Sequence, residues 1–196
     1  MTDLPSLCHV MLDLETADTT PDAVILSLGA IAFYGSVLEP SASTVYATCS
    51  AEWYDTAPWK GRFSVGVDTM MWWLSQEEPA RKALFGSASH LPLPQVLDTF
   101  TEYLAAVSGG DPNRVRVWGN GCNFDNVILA NAYRAVGATP PWKYKHDRCH
   151  RTFSSMYKDV PWVDSTIPHH ALADAQAQAG HVMKIVGAKN INLDTL

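Results

Sequence analysis

Two carboxylates interrupt an otherwise apolar run near the start of the chain, Val10-Met11-Leu12-Asp13-Leu14-Glu15-Thr16. Strand side chains alternate between faces, so a two-residue spacing points Asp13 and Glu15 the same way from one strand end. Like charges held that close repel unless something positive lies between them. A divalent cation with oxygen ligands is the simplest solution, because Mg²⁺ takes one or two carboxylates and fills its other positions with water and substrate phosphates. Without a metal, the same pair reads as a strand end bearing two solvated acids. Two further acids fall where the fold could bring them to this strand. Asp125 follows Gly119-Asn120-Gly121 in the first turn of a helix, where the positive end of the helix dipole favours a carboxylate. Asp174 sits at the margin of the apolar stripe of the last helix, with His169 five residues ahead of it. The ordinary alternatives are a dipole-stabilising aspartate, a solvated surface acid and a capping histidine.

The elements that must position these residues follow from hydrophobic period and turn chemistry. Strands are expected over residues 8–14, 23–33 and 44–49 as an antiparallel meander, and over 114–118 and 142–146 later in the chain. Between residues 51 and 66, Trp53, Tyr54, Trp59 and Phe63 lie in a long aromatic loop without helical or strand period. Asp68 can cap a helix through Leu74, and Pro79 and Pro94 stand where two further helices begin, the second ending at Gly109-Gly110. A helix from about Asn123 to Gly137 would bury Phe124, Val127, Ile128 and Ala132. Asp147 can cap a short helix holding Phe153 and Met156. The last helix starts near Pro168 and carries Ala171, Ala175, Val182, Ile185 and Val186 on one stripe. This order implies an α/β fold with a mixed sheet and helices packed on it.

Composition narrows the function. With 196 residues, 47% of them hydrophobic, the chain fits one domain spanning 1–196. A net charge of -6 argues against coating nucleic acid by bulk electrostatics, though not against a local basic rim. The four cysteines form no C-x-x-C pair, so neither a zinc module nor a dense disulfide scaffold is signalled, and the seven histidines form no ligand set. With no membrane span or signal segment legible, a soluble cytoplasmic protein is expected.

Taken together, Leu12-Asp13-Leu14-Glu15-Thr16, then Gly119-Asn120-Gly121-Cys122-Asn123-Phe124-Asp125, then His169-His170-Ala171-Leu172-Ala173-Asp174-Ala175 resemble the three motifs of the DEDDh 3'-5' exonucleases. They lie in order and span nearly the whole chain. Met71-Trp72-Trp73-Leu74-Ser75-Gln76 also resembles a small phage and mycobacterial subgroup of that family. The resemblance implies a ribonuclease H-like fold with a central five-stranded mixed sheet flanked by helices. It makes Asp13, Glu15, Asp125 and Asp174 metal-binding acids for two Mg²⁺ or Mn²⁺ ions, and His169 the general base. The family pattern H-x-A-x-x-D fits His169 rather than His170, although helical spacing alone would favour His170.

The chemistry suits these residue types. Two cations ~3.5–4 Å apart can clamp a scissile phosphate, and an imidazole, whose intrinsic pKa lies near neutrality, can accept a water's proton at physiological pH. The resemblance places the terminal nucleotide against Leu14, Glu15 and Thr16. One of Trp72 and Trp73 is expected to pack inward while the other reaches the cleft to stack a base, and Arg148 and Arg151 are candidate phosphate contacts. The implied activity is release of nucleoside 5'-monophosphates from the 3' end of single-stranded DNA or RNA, with no membrane partner. The implied assembly is a homodimer. Competing readings are an endonuclease on the same fold and a nucleic-acid-binding module with a relic metal site.

Overall fold

The computed structural model describes residues 7–34, 37–38, 44–86 and 89–195. Strand β1 (Cys8–Thr16) is buried along almost its whole length because it has neighbours on both sides. It pairs antiparallel with β2 (Ile25–Tyr34), in a register that sets Asp13 opposite Gly29, and parallel with β5 (Val115–Gly119). β5 in turn pairs parallel with β6 (Asp147–Cys149) at the sheet edge. At the other edge, β2 carries both β4 (Thr44–Thr48), against Ser27–Ile31, and the two-residue β3 (Val37–Leu38), against Phe33 and Tyr34. The mixed sheet is therefore five strands wide at any level, as expected, with β3 an additional short segment.

Alternation along β1 divides the core. Val10, Leu12 and Leu14 face one layer, formed by α4 (Leu93–Ser108) and α5 (Asp125–Ala135) through residues such as Leu97, Phe100 and Leu129. Met11 faces the other, where α7 (Ala171–Lys189) packs Ala175, Ala179, Val182 and Ile185 against Phe33 and Trp118. Asp13 and Glu15 continue the parity of Met11, so they emerge from β1 toward the start of α7. The approach of that helix to the sheet requires Gly29: a Cβ there would lie 2.1 Å from the Leu172 backbone nitrogen.

The remaining helices are α1 (Ala51–Tyr54), α2 (Val67–Ser75), α3 (Glu78–Phe85) and α6 (His150–Ser155). Several local expectations need correction. Residues 144–146 form a 3-10 turn, and the fifth strand is the next segment, β6; the alternating Trp142-Lys143-Tyr144-Lys145 mimics a strand although only Trp142 of the four is buried. Helix α2 is capped by Gly66, with Asp68 inside its first turn. Helix α5 begins at Asp125, which turns Asp125, Asn126, Ile128, Leu129, Ala132 and Tyr133 inward and leaves Val127 40% exposed. Asp147 does not cap α6; its Oδ1 accepts from Asn126 Nδ2 (2.9 Å) and Trp142 Nε1 (2.8 Å), while Cys149 Sγ caps α6. The aromatics of 51–66 close on themselves as Trp53–Trp59, Trp53–Tyr54 and Tyr54–Phe63 contacts.

Candidate active site

The C-terminal end of β1, the loop after β5 and the segment leading into α7 enclose a cavity of about 630 Å³. Asp13, Glu15, Asp125, Asp174 and His169 all line it. Ligand atoms of Glu15, His169 and Asp174 lie within 4.8 Å of one another. Among the described residues this is the one cluster of three or more groups able to hold a metal ion, and it contains a single histidine. A histidine-built zinc site is thus not supported there.

Each acid is held by a different device. Asp125 reaches back to the sheet: its Oδ1 accepts from the Leu14 backbone nitrogen (3.2 Å) and its Oδ2 from that of Gly121 (3.3 Å), fixing the carboxylate between β1 and the Gly-Asn-Gly turn. Burial raises its pKa to about 6, against the lowering effect of those two N–H groups. Gln178, one helical turn after Asp174, donates from Nε2 to Asp13 Oδ1 at 2.8 Å. Burial, reinforced by Asp125 and Glu15, still pushes the Asp13 carboxyl well above its ordinary range. Glu15 is buried, and its Oε1 has no hydrogen-bond partner. Burial and then the charges of Asp174 and Asp125 raise it to about 8. Acids packed in this way, one with an orphaned buried oxygen, form a donor set suited to hard divalent cations.

The two histidines are used differently. His169 adopts a left-handed backbone (φ 61°) that turns its ring into the cavity, and its backbone nitrogen donates to Asp174 Oδ2 at 2.9 Å. A non-glycine residue in that region carries strain, and such strain gathers at functional sites. His170 is the N-cap of α7, its Nδ1 accepting from the Ala173 nitrogen (3.3 Å), and its ring stacks on Tyr46 with centroids 4.5 Å apart.

The adjacent tryptophans also part. Trp73 is 1% exposed and donates from Nε1 to the Thr16 carbonyl (2.9 Å), while Trp72 is 42% exposed and meets the edge of the His169 ring at 4.8 Å. With Leu14, Glu15, Thr16 and Phe124, both line a second hollow of about 460 Å³ next to the acids. Arg151 lines the main cavity, whereas Arg148 Nη1 is turned to the carbonyls of Lys145 and Asp147. The sequence reading missed Gln178, Asn120 and Trp162. For Gln178 a signal existed, because it follows Asp174 by four residues on one helix face. Asn120 Oδ1 lies 3.2 Å from His150 Nδ1, whose Nε2 is 3.0 Å from His181 Nδ1. Burial lowers His150 to about 4, so the ring is neutral and serves as a buried support for the loop.

Comparison with known proteins agrees with this architecture. Solved structures of similar fold include the zinc-ion-bound form of the E. coli exonuclease I–single-stranded DNA complex (14% identity, TM-score 0.63), which matches 97% of this chain and 42% of its own. E. coli exonuclease I in complex with a dT13 oligonucleotide also matches (14% identity, TM-score 0.61; 94% of this chain, 42% of that one). The chain thus spans about two-fifths of the length of these neighbours, which show its ribonuclease H-like fold. No curated protein matches it. A family model does, over residues 8–186, and the chain belongs to that family, the Rv2179c-like 3'-5' exoribonuclease domain. Residues 8–186 are thus a domain of a 3'-5' exoribonuclease family.

Proposed function

We propose that residues 1–196 form a single DEDDh domain that removes nucleoside 5'-monophosphates one at a time from the free 3' end of single-stranded nucleic acid. The observation that carries this reading is the convergence of four acids and one histidine on one cavity. The two salt bridges among the described residues, Lys60–Asp55 and Lys189–Asp159, lie elsewhere, and the charge of Arg151, which lines the same cavity, acts on Asp125 without forming an ion pair with it. Asp13, Glu15, Asp125 and Asp174 would hold two Mg²⁺ or Mn²⁺ ions. When bound, such ions neutralise the scissile phosphate and polarise a water.

The protein's own groups do the rest. Gln178 fixes Asp13, and the Leu14 and Gly121 nitrogens fix Asp125, so the carboxylates meet the substrate in one arrangement. An imidazole nitrogen of His169 accepts the proton of the attacking water and later returns it to solvent. Water adds to phosphorus, the bond to the preceding 3'-oxygen breaks, that oxygen takes a proton from solvent to become the new 3'-hydroxyl, and a 5'-monophosphate leaves a strand shortened by one nucleotide. The hollow beside the acids suits the terminal nucleoside: Trp72 offers its exposed face to the base, while Trp73 holds the Thr16 backbone and, with Leu14 and Thr16, shapes the wall. The family's name points to RNA and the neighbours' names to single-stranded DNA, and both are proposed substrates.

None of the described helices is long and apolar enough to cross a membrane. A cytoplasmic setting and a homodimer belong to the proposal, the second on family resemblance. The test is digestion of matched labelled DNA and RNA, linear and circular, with product mapping. Mononucleotides from linear strands and intact circles are expected, and cut circles would refute end-directed cleavage.

A further inference from the structure

The charge of this chain is segregated. Half of its 14 lysines and arginines fall between positions 114 and 151, against two acids in the same stretch, in a protein of net charge -6. The charges of both acids act on other residues of the stretch, Asp125 on Arg151 and Asp147 on Arg148, and among the described residues neither forms an ion pair with Arg134, Lys143 or Lys145. Asp125 is buried in the catalytic cavity, and Asp147 Oδ1 is taken by Asn126 and Trp142. This stretch also forms a groove of about 670 Å³, with exposed Arg134, Lys143 and Lys145 and the acid Asp147 lining it beside Val127, Ala130 and Trp142. Tyr144 stands at the groove with 85% of its surface exposed, which burial in the core cannot explain.

The groove adjoins the site. Phe124 and Asp125 line the acidic cavity, and the next two residues, Asn126 and Val127, line the groove, so the first turn of α5 separates the two. One helical turn is ~5.4 Å, a step that a nucleotide or two of extended strand can bridge. Basic side chains around an exposed aromatic ring and an apolar wall match the two features of a single strand, its phosphates and its base faces. In a net-negative protein the attraction must be local, and this is where it is concentrated.

We infer that this groove docks the upstream, 5'-ward nucleotides of a single strand whose 3' end lies in the acidic cavity. The inference rests on the proposed exonuclease reading, and it assigns the groove to affinity for long strands rather than to bond cleavage. Lys143 is left unchanged in the test because its Nζ already bonds Asn113 Oδ1. The variant Arg134→Glu/Lys145→Glu is compared with the wild type on a strand of about 20 nucleotides and on a dinucleotide, at low salt. Losing two phosphate contacts should raise KM for the long strand ~10-fold or more and reduce the salt slope of binding by about 1.4. The value of kcat and all dinucleotide kinetics should stay unchanged. Tyr144→Ala should weaken long-strand binding about five-fold or more through lost stacking. An unchanged KM for the long strand, or an equal loss on both substrates, overturns the inference. Fluorescence anisotropy of the long strand in excess chelator reads the groove without hydrolysis. Weaker binding by the variant there would uphold the groove even if the wild type cleaved nothing, and unchanged binding would overturn it even if the nuclease reading stood.

Discussion

Replacing Glu15 by Gln should stabilise the metal-free protein at alkaline pH, and the size of the effect follows from the burial of this carboxyl. In the folded chain Glu15 titrates at about 8, against an ordinary value of 4.5, because it is buried and faces Asp174 and Asp125. Below pH 4.5 both folded and unfolded chains are protonated and the group has no effect. As pH rises from 4.5 toward 8 the unfolded chain gives up the proton while the folded one keeps it, so stability falls. Above 8 both states are ionised and the whole penalty, ~5 kcal/mol at ~1.36 kcal/mol per pH unit, is present. Gln removes the charge but leaves a buried amide without a full set of partners, at a cost of about 1–3 kcal/mol. A net gain of about 3 kcal/mol, or ~6–12 °C in Tm for a chain of this size, is expected at pH 8.5 in chelator. The gain should disappear at about pH 6, where the penalty on Glu15 equals the amide cost, and become a loss of about 1–3 kcal/mol near pH 4.5. Saturating Mg²⁺ should raise the wild-type Tm and close the gap, because the cation supplies the charge that the variant no longer needs. Thermal unfolding by circular dichroism at pH 4.5, 6.5 and 8.5, with chelator and with Mg²⁺, measures this. Equal Tm values at pH 8.5 in chelator, or a gap independent of pH, would refute the reasoning.

The other predictions concern the positioning of the site. Gly29→Ala forces a Cβ into the Leu172 backbone and must push α7 off the sheet. It should cost about 1–3 kcal/mol in chemical denaturation and lower kcat, whereas Gly187→Ala, with open space around it, should lower neither. His169→Ala should reduce the rate constant ~10²–10⁴-fold with Mg²⁺ binding by calorimetry largely kept. His170→Ala should remove a helix cap, lowering stability by about 1 kcal/mol with little change in rate; a crippled His170 variant beside an active His169 variant would reverse the assignment. Trp72→Ala should raise KM more than it lowers kcat in steady-state assays, because the exposed ring meets the substrate and not the scissile bond.

How much of this was legible before the structure depended on whether the signal was local. The spacing of Asp13 and Glu15 places both on one face of β1, and the alanine-rich stripe of α7 does lie against the sheet, because the 2.0 and 3.6 periods are fixed by the backbone itself. The three motifs resemble the family pattern for the same reason, since each is one turn or strand end. Contacts across long separations were not legible. Nothing near Asp13 announces that Gln178, 165 residues away, will donate to it. Asp147 has the sequence of a helix cap and instead ties α5 to Trp142. On α5 the expected Ile128 and Ala132 are buried, but Phe124 precedes the helix as its N-cap and Val127 is exposed, while Asp125, Asn126, Leu129 and Tyr133 complete the buried face. The choice between Trp72 and Trp73 needed the Thr16 carbonyl that receives the Trp73 indole.

The measurement that bears most directly on the central claim is the product pattern from a 5'-labelled single strand with wild-type protein and with Asp13→Asn, in Mg²⁺ and in excess chelator. The account predicts a one-nucleotide ladder that shortens from the 3' end for the wild type in Mg²⁺. It predicts no cleavage in chelator, and none by Asp13→Asn even though that variant melts no earlier than the wild type. Undiminished cleavage in chelator or by folded Asp13→Asn, or shortening that begins at the 5' end, would contradict it.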